Sequence, residues 1–215
     1  NRGLFQMLRV IGNMSDANNC EMPLRQEIRE IDSLLREIFE KSASILETAH
    51  VQVTYEGLSE RIYSLVDRDQ LERAVLNILS NSVKFNDSGC KIHARLTRQG
   101  KLLRLSLHDN GPGIPNNIRG TLFARYLRQG GIEDSRFGIG LGMVLVRKAA
   151  AAHGGTVLVD RCSDGGTRVT MTLSIRQSAS TMLRSPMLRV DYAGERDHCL
   201  LEFSETLPAH LYEKE

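Results

Sequence analysis

Three short stretches of this chain hold residues whose types and spacing could do chemistry. In the first, Asn77, Asn81, Lys84 and Phe85 follow one another at steps of four, three and one, which on a helix brings them to one face. Asn is a poor residue for a helix interior, so two of them among Leu76, Ile78 and Leu79 need a reason. An amide carbonyl suits a hard cation such as Mg²⁺, which takes few protein oxygens and completes its shell with substrate phosphates; Lys84 can offer charge to the same phosphates. In the second stretch, DNGPGIP, Asp109 is followed by Gly111 and Gly113. One glycine would make a turn, whereas two beside a carboxylate suggest a backbone that passes close to something. In the third, GIGLGM, Gly138, Gly140 and Gly142 precede an apolar helix; glycines there let phosphates reach backbone N–H groups at the positive end of the helix dipole. Taken alone, each stretch also fits something plainer: a polar helix face, a tight surface turn, and a glycine pattern too short to be specific. The third is not a dinucleotide fingerprint, because the strand and downstream acid are missing, and no GK[ST] supplies a P-loop.

The elements that must position these residues follow from periodicity. DRDQLERAVLNILSNSVKF reads as an amphipathic helix capped by Asp67 or Asp69, with the asparagines in its C-terminal half. KIHARLTRQGKLLRLSLHD reads as a hairpin turning at Gln99-Gly100, so Asp109 ends its second strand. VQVTY and RIYSLV alternate like short strands, and TVLVDRC with TRVTMTLSI flanks the turn SDGG as one more hairpin. Pro115 to Phe137 has little periodicity, and loops of that length are usually functional or disordered. Residues 51–176 are therefore expected to form an α+β domain, an α/β sandwich with a mostly antiparallel sheet and helices on one face.

Ahead of it, Leu24, Ile28, Ile31, Leu35, Ile38 and Ile45 fall at steps of four and three with Ser42 in one slot, and Leu4, Leu8 and Ile11 repeat the pattern. With SDANNCEMP as a breaker, this predicts a helical hairpin over residues 1–50. A hairpin of this size cannot bury its seam alone, so pairing with a second copy into a four-helix bundle is expected, the plainer alternative being that both helices pack on the chain's own domain. Residues 177–215 read as a linker and an added hairpin, MLRVDYAGERDHCLLEFS, which would cover a sheet edge or meet a partner.

Composition limits the class. At 215 residues, 41% hydrophobic and 25% charged, the chain has the balance of a soluble globular protein. A net charge of +2 and a pI near 8.4, without a Lys/Arg block, argue against nucleic acid or an anionic membrane as partner. Cys20, Cys90, Cys162 and Cys199 form no CxxC pair, so free thiols in a reducing compartment are expected and a structural zinc site is not. No apolar run approaches the roughly 20 residues that span a bilayer, and the N-terminus lacks a signal peptide's layout. The chain opens mid-helix, which suggests a fragment of something longer.

In their order, the Asn-bearing helix, DNGPGI, the long loop and the GIGLG helix start resemble the GHKL ATPase superfamily, most closely the catalytic domain of sensor histidine kinases, over about Leu71 to Ile175. The resemblance implies ATP and Mg²⁺ as ligands, with nucleotide contacts at Asn77, Asn81, Lys84, Phe85, Asp109, Gly111, Gly113, Ile114, Gly138, Gly140, Leu141 and Gly142. Asn81 becomes the Mg²⁺ ligand, Asn77 its companion, Lys84 a phosphate contact and Phe85 an adenine neighbour. Asp109 would accept the exocyclic amine of adenine, while Gly111 and Gly113 let the base lie against the backbone. Pro115 to Phe137 would be a lid with Phe123 and Tyr126 as its aromatic pair; Arg125, Arg128 and Arg136 could touch phosphate or be solvated loop charges.

Position 77 separates branches of the superfamily. Hydrolysing members, such as type II topoisomerases and mismatch-repair ATPases, carry a Glu there to activate water, and an amide cannot take that proton. A neutral imidazole needs no such base, so the resemblance implies transfer of the γ-phosphoryl group to a histidine and then to a response-regulator aspartate. It also implies a homodimer through the helical hairpin, a response-regulator receiver domain as partner, and a cytoplasmic portion whose full-length protein is held in the inner or plasma membrane by segments absent from this chain. The family's acceptor spacing falls just before Asn1, so no catalytic histidine is identified in the chain and this fragment alone is not expected to phosphorylate itself. His50, His93, His108, His153, His198 and His210 read as ordinary surface or core residues. The alternative is a kinase-dead nucleotide-binding dimer that regulates by shape and never yields phosphohistidine.

Overall fold

The computed structural model describes residues 2–18, 25–86, 89–114, 141–163, 165–176 and 196–212. A five-stranded sheet has the order β2 (Gln52–Glu56), β4 (Lys91–Gln99), β5 (Leu102–Asp109), β7 (Thr167–Ser174) and β6 (Val157–Arg161). Only the β2–β4 pairing is parallel. Alternation decides its faces: Ile92, Ala94 and Leu96, Leu103, Leu105 and Leu107, and Val169, Met171 and Leu173 are buried, while Arg95, Arg104 and Arg168 lie on the opposite side. Helix α3 (Arg68–Lys84) and helix α4 (Gly142–Ala152) belong to the core on the apolar face. The expected α/β sandwich is therefore present, with the β4–β5 turn at Gly100, whose φ of +62° suits a residue without a Cβ.

The N-terminal region differs from expectation. A helix α1 (Arg2–Asn18) is present, but strand β1 (Glu27–Glu30) stands where the second helix was expected to begin, and it pairs antiparallel with β3 (Tyr63–Val66). Helix α2 starts only at Ile31 and runs to Glu47, its first N–H groups accepted by the Glu30 carboxylate. Its seam residues Ile31, Leu35, Ile38 and Ser42 are buried with Leu34, Phe39 and Leu46 in the core of the chain's own domain. Phe39 stacks on Tyr55 of β2 at 4.8 Å, and Asp32 accepts from the Tyr55 hydroxyl and the Leu58 N–H, which fastens the helix to the sheet edge. A 3–4 repeat reports one apolar face and is silent about what covers it. Among the described residues, the α2 seam that was expected to meet a second copy is therefore covered by the chain's own domain.

The C-terminal expectation also changes. Among the described residues of the predicted hairpin, His198–Glu202 form a short helix α5, followed by turns and a 3₁₀ turn at Ala209–Tyr212. Phe203 and Tyr212 are buried in the same cluster that holds Phe5 of α1, so one core joins both ends of the chain. Lid residues 115–137, together with Gly138 and Gly140, lie outside the described residues.

His153, at the C-terminal end of α4, links two elements of the site. Its Nε2 accepts the Asp67 N–H at 2.9 Å, and its Nδ1 bonds the Ala149 carbonyl at 2.6 Å. Asp67 is the N-cap of α3, so the ring ties the end of one helix to the start of another. Burial lowers the His153 pKa from 6.5, outweighing the Ala149 bond and nearby Asp67, which act the other way. Protonation would also put a donor against the Asp67 N–H. The unfolded chain therefore takes the proton first as pH falls: stability should decline below about pH 6.5, by up to about 1.4 kcal/mol per pH unit, and level off below the folded-state pKa. His153→Gln should be less stable at pH 8 but flatter between pH 7 and 5 than the unaltered chain, read from urea midpoints.

Candidate nucleotide-binding site

The site begins at the end of β5, where Asp109 takes the next inward-facing position after Leu103, Leu105 and Leu107. A carboxylate in an apolar row must be satisfied locally, and this one is only 7% exposed. Its Oδ2 accepts the Ser82 hydroxyl of α3 at 3.1 Å, and its Oδ1 accepts the backbone N–H groups of Gly111 at 2.9 Å and Thr167 at 3.1 Å. Two carboxylate oxygens offer about four lone-pair positions, so one acceptor position remains for a ligand.

Backbone without side chains surrounds this carboxylate. A Cβ on Gly111 would lie 3.0 Å from Asp109 Oδ1, and one on Gly166 would lie 1.8 Å from the Asp109 carbonyl oxygen. Gly113 has a φ of +76° and approaches Gly166 and Arg161, while Ile114 packs against the core. Asn110 reinforces the corner: its Oδ1 accepts from the Asn86 amide at 3.1 Å and the Lys91 N–H at 2.8 Å.

The other half of the site lies along α3. Asn77 is fully buried; its Nδ2 donates to the Arg73 carbonyl at 2.9 Å, whereas its buried Oδ1 accepts no hydrogen bond among the described residues. That oxygen faces Gly142 at the start of α4, where an added Cβ would lie 2.6 Å away, and Leu141 beside it is buried. Asn81 follows one turn after Asn77, half-exposed, and no side-chain hydrogen bond engages it among the described residues. Lys84 Nζ donates to Glu205 Oε2 at 2.6 Å, and Phe85, the C-cap of α3, is 38% exposed. The structure therefore brings together Asn77 with Gly142, and Asp109 with Gly111. Ser82, Thr167 and Gly166 were not singled out from the sequence. For Gly166 the signal was the SDGG turn, and for Ser82 its place within the Asn-bearing motif; nothing local marked Thr167.

The model of the family described as histidine kinase-, DNA gyrase B-, and HSP90-like ATPase matches residues 66–177, over half of the chain. The chain belongs to that family, and its sheet domain is a GHKL-type histidine kinase catalytic domain. The sensor histidine kinase TmoS of Ectopseudomonas mendocina is 29% identical over 167 residues, 76% of this chain and 17% of that protein. The mycobacterial sensor histidine kinase MprB superposes with a TM-score of 0.57 at 25% identity, over 71% of this chain and 99% of that one. The histidine kinase ThkA, solved in complex with the response regulator protein TrrA, shares the fold with a TM-score of 0.62 at 15% identity, over 79% of this chain and 48% of that one. The chain spans under a fifth of the length of the first curated relatives it matches.

The two glycines of the β6–β7 turn separate backbone strain from damage to the site. Gly165 and Gly166 have φ of +96° and +79°, but only at Gly166 would a Cβ meet the Asp109 carbonyl; at Gly165 nothing lies within 4 Å. Gly165→Ala should cost roughly 1–2 kcal/mol, the usual penalty of a left-handed residue. Gly166→Ala should cost more and also weaken nucleotide binding, because the end of β5 must move. Denaturant midpoints and calorimetric titration of the two variants check this.

Proposed function

We propose that this chain is the ATP-binding catalytic portion of a sensor histidine kinase, which passes the γ-phosphoryl group of Mg-ATP to a histidine and from there to a response-regulator aspartate. One observation carries the reading. A buried carboxylate with an acceptor position to spare and a buried amide oxygen without a donor are both served by one helix, which also bears Asn81 and Lys84.

Asp109 supports recognition of adenine, because a carboxylate accepts from the exocyclic amine and repels a base that carries a carbonyl there. Gly142 lets the start of α4 lie against Asn77 Oδ1; a helix N-terminus there suits phosphate, and Lys84 would supply a cation to the same group. The residues present fit a divalent ion. Asn77 Oδ1 is an orphaned buried acceptor, and no group of three or more His, Cys, Asp or Glu among the described residues competes for a metal. Asn81 would hold Mg²⁺, with Asn77 beside it, and the bound ion would neutralise charge on the phosphate oxygens. With Asn77 unable to accept a proton, water is a weak nucleophile here. A neutral imidazole nitrogen uses its own lone pair: the N–P bond forms, the bond from phosphorus to the bridging oxygen breaks, and ADP leaves with that electron pair.

A homodimer follows from α1. Leu4, Met7 and Ile11 are 44%, 59% and 63% exposed and share one face, so a second copy can cover the stripe that α2 no longer offers. The ThkA complex supports a response-regulator receiver domain as the second partner. No described helix is long and apolar enough to cross a membrane; this portion is read as cytoplasmic, with any anchor in other segments of the full-length protein.

Two measurements test the reading. Asn81→Ala should weaken Mg²⁺-dependent ATP binding by about tenfold or more, the cation being one protein oxygen short, while adenosine binding is unchanged; calorimetric titration with and without Mg²⁺ reads it, and equal ATP affinity removes Asn81 from the site. The full-length protein incubated with γ-labelled ATP should gain acid-labile, base-stable phosphate, whereas these 215 residues alone stay unlabelled. A full-length protein that binds ATP and never labels favours the regulatory, kinase-dead alternative.

A further inference from the structure

The lysine proposed to meet phosphate is already engaged by a carboxylate of the same chain. Lys84 Nζ and Glu205 Oε2 are 2.6 Å apart, and the lysine side chain is only 14% exposed. Glu205 follows α5, and its position is over-determined. Arg9 Nη1 of α1 stands 3.3 Å from the same carboxylate oxygen, and Arg2 donates to the Ser204 and Glu205 carbonyls at 2.9 Å each. One turn earlier, the fully buried Glu202 accepts from Arg9 Nε at 3.1 Å and faces Arg73 Nε at 3.4 Å, while Ser80 donates to its carbonyl at 3.1 Å. Arg73, Ser80 and Lys84 mark one side of α3, next to the Asn77 and Asn81 side. Apolar burial seats the segment as well: Phe203 and Tyr212 are buried, and Tyr212 meets Phe5 edge-on at 5.1 Å.

Burial alone would raise the Glu205 carboxyl, but Arg9 and Lys84 outweigh it and hold it below its ordinary value, so it is charged near neutral pH. A partly exposed ion pair of this kind contributes little to stability. Its larger consequence is for a second anion, because one ammonium cannot serve a carboxylate and a phosphate without setting the two negative groups side by side. We propose that segment 196–212 is a built-in competitor of the nucleotide, in which Glu205 occupies Lys84 as an anionic stand-in for phosphate and ATP binds at full strength only when that pair opens. The inference rests on Lys84 being a phosphate contact. Because Arg9 grips the same carboxylate, the position of α1 and the affinity for ATP are linked, and the linkage is reciprocal.

The test compares ATP with adenosine, which carries the base and no phosphate, on the full 215-residue chain and its Glu205→Gln variant in the presence of Mg²⁺. Glutamine keeps the size and removes the charge. Glu205→Gln should bind ATP about fivefold or more tightly than the unaltered chain, with adenosine affinity unchanged. If ATP binds both chains equally while Asn81→Ala still weakens it, the nucleotide site stands and the competitor is refuted. If neither chain binds ATP or adenosine, the functional reading fails and takes this inference with it. A second measurement needs no variant. Amide hydrogen exchange of residues 203–207 should rise when ATP is added and not when adenosine is; exchange that stays the same with ATP bound overturns the proposal.

Discussion

A carboxylate at the end of an apolar row is the constraint on which the rest of this domain depends. Asp109 occupies an inward position of β5 that alternation would otherwise give to a leucine, and an unpaired charge there would cost more than a small domain can spare. Its donors come from three directions: a hydroxyl on α3, the glycine turn immediately after β5, and the first N–H of β7. Each donor fixes the distance of one element from the strand end. The glycines follow from the same demand, since backbone that must approach Asp109 this closely has no room for a side chain at Gly166. Satisfying the charge therefore shapes a corner with bare backbone and a remaining acceptor position, which is what a flat, amine-bearing base requires.

Helix α3 joins that corner to the proposed phosphate end. Its faces have separate duties: apolar residues enter the core, Ser82 serves Asp109, Asn77 lies against the glycine start of α4, and Arg73, Ser80 and Lys84 hold the C-terminal segment. The polar residues that make it a poor isolated helix are the ones that join it to its neighbours. Asp67 and His153 then tie its first turn to the end of α4, so the two helices that frame the site are coupled at the far end as well.

Both ends of the chain converge on this helix. Arg9 of α1 reaches Glu202 and Glu205, and α5 with its following turns fills the space between α1 and α3. A region upstream of the domain and a region downstream of it thus share one buried ionic cluster beside the proposed phosphate site. Buried ion pairs are poor sources of stability but strong determinants of geometry, since removing one partner strands the other.

Local signals in the sequence were sufficient for the main elements of the sheet domain, though not for the pairing of β3 with β1. Alternation in KIHARLTRQGKLLRLSLHD set the β4–β5 hairpin and placed Asp109 at its end, Asp67 or Asp69 marked the helix start, and the order of three short motifs pointed to the family, because each depends on residues near one another along the chain. The 3–4 repeat of α2 was just as legible, yet its cover was not: whether Ile31, Leu35 and Ile38 face a second copy or the core of their own domain is settled by segments distant along the chain. The same holds for Thr167, whose N–H reaches Asp109 across 58 residues, and for Glu205, whose carboxylate meets Lys84 across 121. Periodicity and capping are properties of a local segment, whereas the partner of a buried charge is decided by which distant segment the closed core brings beside it.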